Sequence, residues 1–255
     1  EEDMKIWTRT SRIVGAALLT SMALNGITWA QECKNPEVIR FSMIPTEETT
    51  QELTLYQPLV NQIKKATGKN VEFFLPTSYA SVVEAMLGGF VDLGMHWPYS
   101  YVIAQEKDPE LRVIATYAKH KGQFQEEGPV YKAVLVARAD SGYTSVDDLK
   151  GSVIGLTDPA STSGNLLPRV SFTKVIGAEL EDYFSRVVYT GGHDLSGVAV
   201  IEGQVDAAFV ATHRLDNVLE RGIATMDDYV VLWSSPVIPQ DPFVVNGRLC
   251  PEIIS

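Results

Sequence analysis

A run of small polar residues, Ser161-Thr162-Ser163-Gly164, carries the clearest chemical signal in the sequence. An apolar run directly before it predicts a buried strand, and apolar residues at helical spacing over 165–176 predict a helix directly after it. The first turn of a helix has backbone N–H groups without internal partners, and its dipole favours negative charge. Hydroxyls that rotate to donate hydrogen bonds add to this, so the run predicts a receptor for an anion with several oxygens. The alternative is that Thr162 or Ser163 only caps the helix.

Length and charge restrict what the chain can bind. Its 255 residues are enough to bury a large core and are typical of two lobes. The net charge of −11 argues against nucleic acid as a partner, because phosphate backbones need clustered lysine and arginine. A small anion is still compatible with this charge, because backbone N–H groups and hydroxyls bind anions locally inside an acidic protein.

The N-terminal segment has the pattern of an export signal. Lys5, Arg9 and Arg12 precede an apolar stretch over 13–27, and Ala30 ends the segment with a small residue. This predicts a signal peptide over residues 1–30, cleaved near Ala30. A transmembrane helix is less favoured, because the apolar stretch is short and interrupted by polar residues. We therefore expect an exported, periplasmic protein.

The sequence contains two cysteines, Cys33 and Cys250. In an oxidising compartment they can pair and connect the two ends of the mature chain. Two unpaired thiols, or pairing with residues beyond Ser255, are the alternatives. Pro251 predicts the first turn of a helix that is only beginning where the sequence ends.

Strand and helix patterns alternate through both halves of the chain. This alternation predicts a fold of the α/β class, with mostly parallel sheets that have helices on both faces. The predicted strands are 38–44, 71–75, 91–95, 113–117, 131–138, 153–156, 186–189, 206–210 and 229–233. The predicted helices are 51–66, 79–87, 100–107, 165–176, 194–202 and 213–221.

A short internal repeat relates the two halves. Residues 89–94 (GFVDLG) are similar to residues 203–208 (GQVDAA), and each segment follows a helix and opens a strand. Two similar halves with polar residues at their strand ends indicate facing lobes with a ligand between them. The alternative is that the similarity between these two short segments arose by chance. Asp92 and Asp206 begin strands, far from the predicted cleft, and are interpreted as turn residues.

These features resemble the periplasmic substrate-binding proteins of phosphonate-type ABC transporters, the phosphate/phosphite/phosphonate-binding family. The resemblance extends from about Val38 to the last residue. Its most specific part is Asp158-Pro159-x-Ser161-Thr162-Ser163-Gly164, supported by Gly192-His193, Val205-Asp206-Ala207 and Ser235-Pro236-x-Ile238-Pro239-x-Asp241-Pro242.

The resemblance implies a two-lobed periplasmic binding protein of type II, a flytrap in which each lobe is a mostly parallel sheet flanked by helices. Hinge strands between the lobes map to 131–138 and 229–234. Lobe I is expected over 36–138, completed by 233–255, and lobe II over 139–232. Chains of this family continue past the end of this one with more helix.

Site residues follow from the same resemblance. It implies that Ser161, Thr162 and Ser163 hold the ligand oxygens, with Tyr79 added from the first lobe and His193 from the second. The alternative for Tyr79 is a role in the hydrophobic core, and the alternative for His193 is a structural role.

Two departures from the family pattern affect the expected ligand. His96 stands where aminoalkylphosphonate binders carry a tyrosine, with Tyr99 as the fallback and a half-buried structural histidine as the alternative. His213 stands where those proteins carry a glutamate that holds the ligand amine, although it is also compatible with a residue near a helix cap. Asp241, the second acid that faces the amine, is kept. The resemblance thus implies a smaller oxyanion such as phosphite, hypophosphite or methylphosphonate.

The predicted function is binding and not catalysis. The sequence has no Gly-x-Ser-x-Gly elbow and no histidine pair at metal-ligand spacing, so no catalytic residue, metal or cofactor is predicted. Ser171 and Lys174 match a Ser-x-x-Lys motif, but they lie mid-helix and lack its companion motifs.

The partners are implied by the family. We expect a monomer that closes over a small oxyanion and docks on an inner-membrane permease driven by a separate ATPase. The alternative is a sensor subunit that presents an oxyanion such as arsenite to a histidine kinase.

Overall fold

The computed structural model describes residues 33–43 and 53–254. The predicted signal peptide and its cleavage site near Ala30 lie outside the described residues. Where it is described, the chain forms twelve strands and eight α-helices in an α/β arrangement, which confirms the predicted fold class. In this part of the chain, no helix is both long and apolar enough to cross a bilayer.

The strands are β1 (Val38–Ser42), β2 (Asn70–Phe74), β3 (Leu93–Met95), β4 (Arg112–Thr116), β5 (Val130–Tyr131), β6 (Ala133–Arg138), β7 (Val153–Leu156), β8 (Arg186–Tyr189), β9 (Ala207–Ala211), β10 (Tyr229–Ser234), β11 (Ile238–Pro239) and β12 (Pro242–Val245). The α-helices are α1 (Gln57–Thr67), α2 (Tyr79–Leu87), α3 (Pro98–Lys107), α4 (Thr173–Ile176), α5 (Leu180–Tyr183), α6 (His193–Ile201), α7 (Thr212–Glu220) and α8 (Pro251–Ile254). Two π-helical segments, Thr162–Leu166 and Pro168–Phe172, lead directly into α4.

Two five-stranded sheets share one plan. The first has the order β2-β1-β3-β12-β4 and the second the order β8-β7-β9-β6-β10. In each sheet the first three strands are parallel and the fourth runs antiparallel to its neighbours. We call the part of the chain built on the first sheet, with α1–α3 and α8, the first lobe. The part built on the second sheet, with α4–α7, is called the second lobe.

The chain crosses between the sheets twice, between β4 and β6 and between β10 and β12, and the short pair β5–β11 joins the two crossings. The hinge segments implied by the resemblance, 131–138 and 229–234, adjoin these two crossings. The predicted single strand over 131–138 is divided at Lys132, whose backbone N–H donates to Thr212 Oγ1 and whose carbonyl accepts from Thr212 N. β6 and β10 therefore lie inside the second sheet, and the crossings adjoin them. The lobe limits of 36–138, 139–232 and 233–255 stay a prediction.

The internal repeat corresponds to a shared hydrogen-bonded clasp. Asp92 Oδ2 accepts from Arg40 N at 2.9 Å, and Asp92 N donates to Arg40 O at 2.9 Å. In the second lobe Asp206 Oδ2 accepts from Val153 N at 2.7 Å, and Asp206 N donates to Val153 O at 2.9 Å. Each aspartate thus joins the start of one parallel strand to its neighbour. These residues do more than form a turn, because each clasp joins two neighbouring interior strands of its sheet where the second of them begins.

Separate clusters of buried side chains cover the faces of each sheet. A fifth cluster brings the two lobes together and is formed by Tyr79, Val82, Trp97, Tyr131, Ala133, Ala160, Ala211 and Ile238. Burying each large apolar side chain stabilises the fold by ~1.5–3 kcal/mol. The two lobes therefore meet in apolar contact next to the residues predicted to bind the ligand.

Cys33 and Cys250 form a disulfide, with their Cα atoms 4.7 Å apart. Backbone hydrogen bonds flank the bridge, since Lys34 N donates to Arg248 O at 2.6 Å and Cys250 N donates to Lys34 O at 3.0 Å. Of the alternatives that the sequence leaves open, the structure has the pairing of the two cysteines. Both cysteines belong to the first lobe, because Cys33 precedes β1 and Cys250 follows β12.

Candidate functional site

The predicted polar run forms the turn from β7 into the π-helical segment. Ser161 is the N-cap residue, and its Oγ accepts from Gly164 N at 3.0 Å. The capping role therefore belongs to Ser161 and not to Thr162 or Ser163. Gly164 is required by close packing, because a Cβ at this position would lie 2.1 Å from Thr157 Oγ1. The π-helical start widens the first turn, a geometry that is frequent at functional sites.

His193 lies behind the polar run, at the first position of α6, and is only 3% exposed. Its Nδ1 accepts from Ala211 N at 3.1 Å, so Nδ1 carries no proton and the neutral ring has its hydrogen on Nε2. Burial and, to a smaller extent, the Arg214 guanidinium lower the pKa of His193 to about 3, which keeps the ring neutral. Its Nε2 lies 3.0 Å from Ser163 Oγ and 3.3 Å from Ser161 Oγ. The imidazole therefore donates to these serine oxygens.

Thr162 connects the polar run to the first lobe. Its Oγ1 accepts from Tyr99 N at 2.8 Å, a hydrogen bond between the second lobe and the first turn of α3. Each hydroxyl of the run now accepts a hydrogen from a nitrogen: Ser161 from Gly164, Thr162 from Tyr99 and Ser163 from His193. Each hydroxyl thereby keeps its own hydrogen to donate, and those of Ser163 and Thr162 are also close enough to the Tyr131 hydroxyl to affect its pKa. The run presents three O–H donors, which is the arrangement that an anion with several oxygens requires.

Tyr79 is where the sequence placed it, at the first position of α2, after the N-cap residue Ser78. Its ring is buried and stacks on Trp97 with the centroids 5.8 Å apart and the planes 6° apart. Burial raises the pKa of Tyr79 well above its usual value, so its hydroxyl is protonated. Burial also raises the pKa of Asp158, while the backbone N–H groups of Ala160 and Tyr79 oppose that rise. Tyr79 thus lies beside the turn that carries the three hydroxyls.

His213 and Asp241 are also brought to this region. The His213 ring is 5.0 Å from Tyr131 and 5.6 Å from Trp97, centroid to centroid. Burial, then Arg214 and Lys119, lower the pKa of His213 well below its usual value. Both ring nitrogens of His213 are buried without a hydrogen-bond partner among the described residues.

Asp241 is fully buried on the crossing between β10 and β12. Its Oδ2 accepts from the Tyr117 hydroxyl at 2.9 Å, while Oδ1 has no partner within the described part of the chain. Burial raises the pKa of Asp241 to about 7, against the opposing effect of Arg214. The carboxyl therefore titrates near neutral pH and raises the pKa of Tyr79 and Tyr131 when it is charged.

His96 makes no contact with the polar run among the described residues, and both of its ring nitrogens, like those of His213, are buried without a hydrogen-bond partner there. Its ring folds back over Gly94, so that a Cβ on Gly94 would lie 2.9 Å from His96 Nε2 and 2.9 Å from Met86 Cε. The side chain is fully buried, and burial lowers the pKa of His96 to about 4. Its role in ligand binding stays a prediction. The fallback, Tyr99, contacts the run through its backbone N–H.

Five of the predicted site residues share one structural feature, because they lie in the first turn of a helix. Tyr79 begins α2, Tyr99 is the second residue of α3, Thr162 begins the π-helical segment, and His193 and His213 lie in the first turns of α6 and α7. The unpaired N–H groups and dipoles of these turns favour negative charge between the lobes.

Three further residues of this region, Tyr131, Trp97 and Arg214, are not in the predicted set of ligand-binding residues. Tyr131 is buried between the lobes, and burial raises the pKa of its hydroxyl while the hydroxyls of Ser163 and Thr162 oppose that rise. Trp97 lies at the centre of the aromatic contacts, and the guanidinium carbon of Arg214 lies 5.7 Å from its ring. A cation in the first turn of α7 is unfavourable for the helix dipole, and this was a signal that Arg214 serves the site.

The fold and the site define a class of protein. Two lobes with one sheet plan, joined by two crossings and enclosing an anion-type site at helix N-termini, form a two-lobed periplasmic binding protein of type II. Residues 41–255 match the family described as ABC transporter, phosphonate, periplasmic substrate-binding protein. The chain belongs to this family.

Known proteins of this kind are similar to the chain in sequence and in structure. The phosphate-import protein PhnD of Mycolicibacterium smegmatis is 31% identical over 226 residues, which cover 86% of this chain and 69% of that protein. The phosphonates-binding periplasmic protein of Escherichia coli is 28% identical over 245 residues, covering 94% of this chain and 70% of that protein. The crystal structure of a binding protein component of an ABC phosphonate transporter from Pseudomonas aeruginosa has a TM-score of 0.73 at 26% identity, covering 86% of this chain and 71% of that chain.

The predicted function as a periplasmic substrate-binding component of an ABC transporter is confirmed by the family match. This match favours the transporter component over the sensor subunit. Membership implies a periplasmic location, a small-molecule ligand and a membrane permease as partner. The matched relatives are transport binding proteins.

Proposed function

We propose that the protein binds a small tetrahedral phosphorus oxyanion between its lobes, with Ser161, Thr162 and Ser163 donating to the oxygens. The observation that supports this most is the state of the three hydroxyls, since each accepts from a nitrogen and so keeps its own hydrogen for a ligand. Hydrogen bonds to a charged group contribute ~1.5–3 kcal/mol each. Three of them approach the −8 kcal/mol of a micromolar complex, even before other contacts.

Other residues complete the proposed site. Tyr79 and Tyr131 add protonated hydroxyls, and His213 adds an imidazole whose nitrogens have no partner within the described residues. Asp241 is the only acid assigned to the site here, and its raised pKa reduces its charge at neutral pH. A ligand with an ammonium group would meet this weakly charged acid and the neighbouring Arg214 guanidinium. The site therefore favours phosphite, hypophosphite, phosphate or methylphosphonate over 2-aminoethylphosphonate.

The proposed cycle is one of transport. The two lobes close over the anion, as the hydrogen bond from Tyr99 N to Thr162 Oγ1 already joins them in this structure. The closed monomer then docks on the permease, which a separate ATPase drives. In this cycle the protein binds and releases its ligand unchanged and performs no catalysis.

Calorimetry with purified protein tests the proposal. The panel is phosphite, hypophosphite, methylphosphonate, phosphate and 2-aminoethylphosphonate. At least one small anion should bind with a Kd in the micromolar range or below, and Ser163→Ala should weaken it by about ten- to a hundredfold. Ser185→Ala is the matched control, because its hydroxyl is exposed on the second lobe and contacts only a carbonyl, Ser152 O. The proposal fails if no member of the panel binds, or if Ser163→Ala binds as tightly as the wild type.

A further inference from the structure

Asn165 directly follows the polar run and closes a loop around it. Its side-chain nitrogen Nδ2 donates to the carbonyl oxygen of Pro159 at 2.7 Å. This one hydrogen bond joins the residue before Ala160 to the residue after Gly164, so the three hydroxyls lie within the loop that it closes. The placement of the hydroxyls therefore depends on a side chain that carries none of them.

The surroundings of Asn165 fix which end of its amide faces the turn. Asn165 is 8% exposed, and its Oδ1 accepts from the Tyr189 hydroxyl at 2.8 Å and from Arg169 Nε at 3.0 Å. The Nε–H group of an arginine only donates, and the Pro159 carbonyl only accepts. The amide is therefore held with its oxygen towards Arg169 and its NH2 group towards Pro159.

Arg169 is itself oriented by an ion pair. Its Nη1 and Nη2 donate to the two carboxylate oxygens of Glu181 at 3.1 and 2.7 Å, a bidentate geometry that favours one orientation of the guanidinium. Both side chains of this pair are partly exposed, so the pair adds little stability and acts mainly through orientation. Glu181 belongs to α5, Arg169 to the second π-helical segment and Tyr189 to the edge strand β8. Three elements of the second lobe thus meet at the Asn165 amide.

The other hydrogen bonds of the turn over 158–161 are local. Asp158 Oδ1 accepts from Ala160 N at 2.8 Å, and Ser161 N donates to Asp158 O at 2.9 Å. The Asn165 bond connects this turn with the helical segment that follows. Because Pro159 is exposed, water can replace Asn165 at its carbonyl. Loss of the bond would therefore cost the fold little, whereas the run would no longer be held in one position.

We propose that Asn165 is a positioning residue for ligand binding, which holds the 158–161 turn so that the three hydroxyls present their hydrogens to one anion. Asn165 touches no ligand atom and acts through the Pro159 carbonyl. Arg169 and Tyr189 act one step further away, because they orient the amide. A receptor that is ordered before its ligand arrives binds more tightly, since no binding energy is spent on ordering it. The inference rests on the proposed function of the polar run.

Calorimetry with phosphite, hypophosphite, phosphate and methylphosphonate tests this role. Asn165→Ala should weaken the tightest of these complexes by about tenfold or more. Arg169→Met and Tyr189→Phe should each weaken it by no more than about threefold, because the other donor still holds Oδ1, and the double variant should approach Asn165→Ala. Tyr183→Phe is the matched control, since it removes another second-lobe hydroxyl that donates to a carbonyl, Val146 O, and it should bind like the wild type.

A double-mutant cycle distinguishes positioning from a merely structural role. Asn165→Ala should weaken binding by about threefold or less in a Ser163→Ala background, because one of the hydroxyls that Asn165 places is already absent. A merely structural residue would instead lower the free energy of unfolding and leave the affinity of the folded protein unchanged. Urea unfolding of each variant is therefore measured alongside its affinity.

The possible results distinguish this proposal from the proposed function. If the wild type binds none of the four anions, the proposed function itself is wrong. If Asn165→Ala binds as tightly as the wild type, the positioning role is wrong and the proposed function stands. Equal factors for Asn165→Ala with and without the Ser163 hydroxyl would also overturn the positioning role. Should Asn165→Ala not fold, the double variant of Arg169 and Tyr189 decides, because both of these side chains are partly exposed, and wild-type affinity there would refute the proposal.

Discussion

Replacing Thr162 with valine removes one hydroxyl and keeps the branched shape of the side chain. One hydrogen bond of that hydroxyl is present in the structure, and a second, to the ligand, belongs to the proposed function. Its oxygen accepts from Tyr99 N at 2.8 Å across the lobes, and its hydrogen is available to a ligand oxygen. The variant therefore affects lobe closure and ligand binding through the same atom.

The expected magnitude follows from these two bonds. Loss of a hydrogen bond to a charged ligand costs ~1.5–3 kcal/mol, and leaving the Tyr99 N–H buried without an acceptor costs ~1–3 kcal/mol. Together they weaken binding by ~3–6 kcal/mol, which corresponds to about two to four orders of magnitude in Kd. Thr162→Ser keeps the hydroxyl and should remain within about tenfold of the wild type.

The assay is calorimetry with whichever small anion binds the wild type most tightly, repeated for both variants under one set of conditions. Two results would refute the reasoning. One is a Thr162→Val protein that binds within about twofold of the wild type, since the hydroxyl would then have no part in the site. The other is a Thr162→Ser protein as weak as Thr162→Val, because this would attribute the effect to the methyl group.

Three further predictions concern pH and the disulfide. Because the pKa of Asp241 is raised to about 7, its carboxyl ionises above that pH and repels the anion, so hypophosphite affinity should fall above pH 7 by no more than about tenfold per unit. Calorimetry across pH should show this slope in the wild type and not in Asp241→Asn, and an equal slope in both would exclude Asp241 as its source. The free energy of unfolding should fall as pH decreases below 6.5, because burial lowers the pKa of His96 to about 4 and of His193 to about 3 in the folded chain only. By pH 5 each histidine should contribute ~2 kcal/mol less than at pH 7. Urea unfolding of the Asp241→Asn variant measures this loss of stability, because the variant lacks the carboxyl whose raised pKa would change the free energy of unfolding in the opposite direction. A free energy of unfolding that stays constant between pH 7 and pH 5 would contradict the conclusion that His96 and His193 are buried in their neutral form. The double substitution Cys33→Ser and Cys250→Ser should lower the free energy of unfolding, measured with urea, by about 5 kcal/mol, because the disulfide closes a loop of 217 residues. An unchanged urea midpoint would show that the disulfide does not stabilise the fold.

Much of the fold could be predicted from local pattern. The strands at 153–156 and 186–189 and the helix at 79–87 have the predicted limits. The helix was identifiable because Ser78 and Ser81 form a capping box at its start and Gly88 ends it. β11 and β12 were not predicted, because their prolines favoured a loop. Pro242 is compatible with a strand because it is the first residue of β12.

The site residues, like the elements of the fold, include some that a local sequence pattern identifies and some that it does not. Ser161, Thr162 and Ser163 could be located because a polar run between a strand and a helix is a local signal. Tyr131 and Arg214 could not be located, because their role depends on which lobe packs against them. The strand period places the His96 side chain on the same face as Gly94, within the first lobe. Sequence spacing alone did not resolve whether that face meets the ligand.

The bridge between Cys33 and Cys250 has a practical consequence for handling the protein. Both cysteines lie in the first lobe, so the second lobe is a loop of chain held at both ends, and its rotation is not restrained by the bond. One proteolytic nick anywhere between them leaves two pieces covalently joined. A single band on a non-reducing gel is therefore no proof of an uncut polypeptide, and preparations should be checked with a reducing agent present.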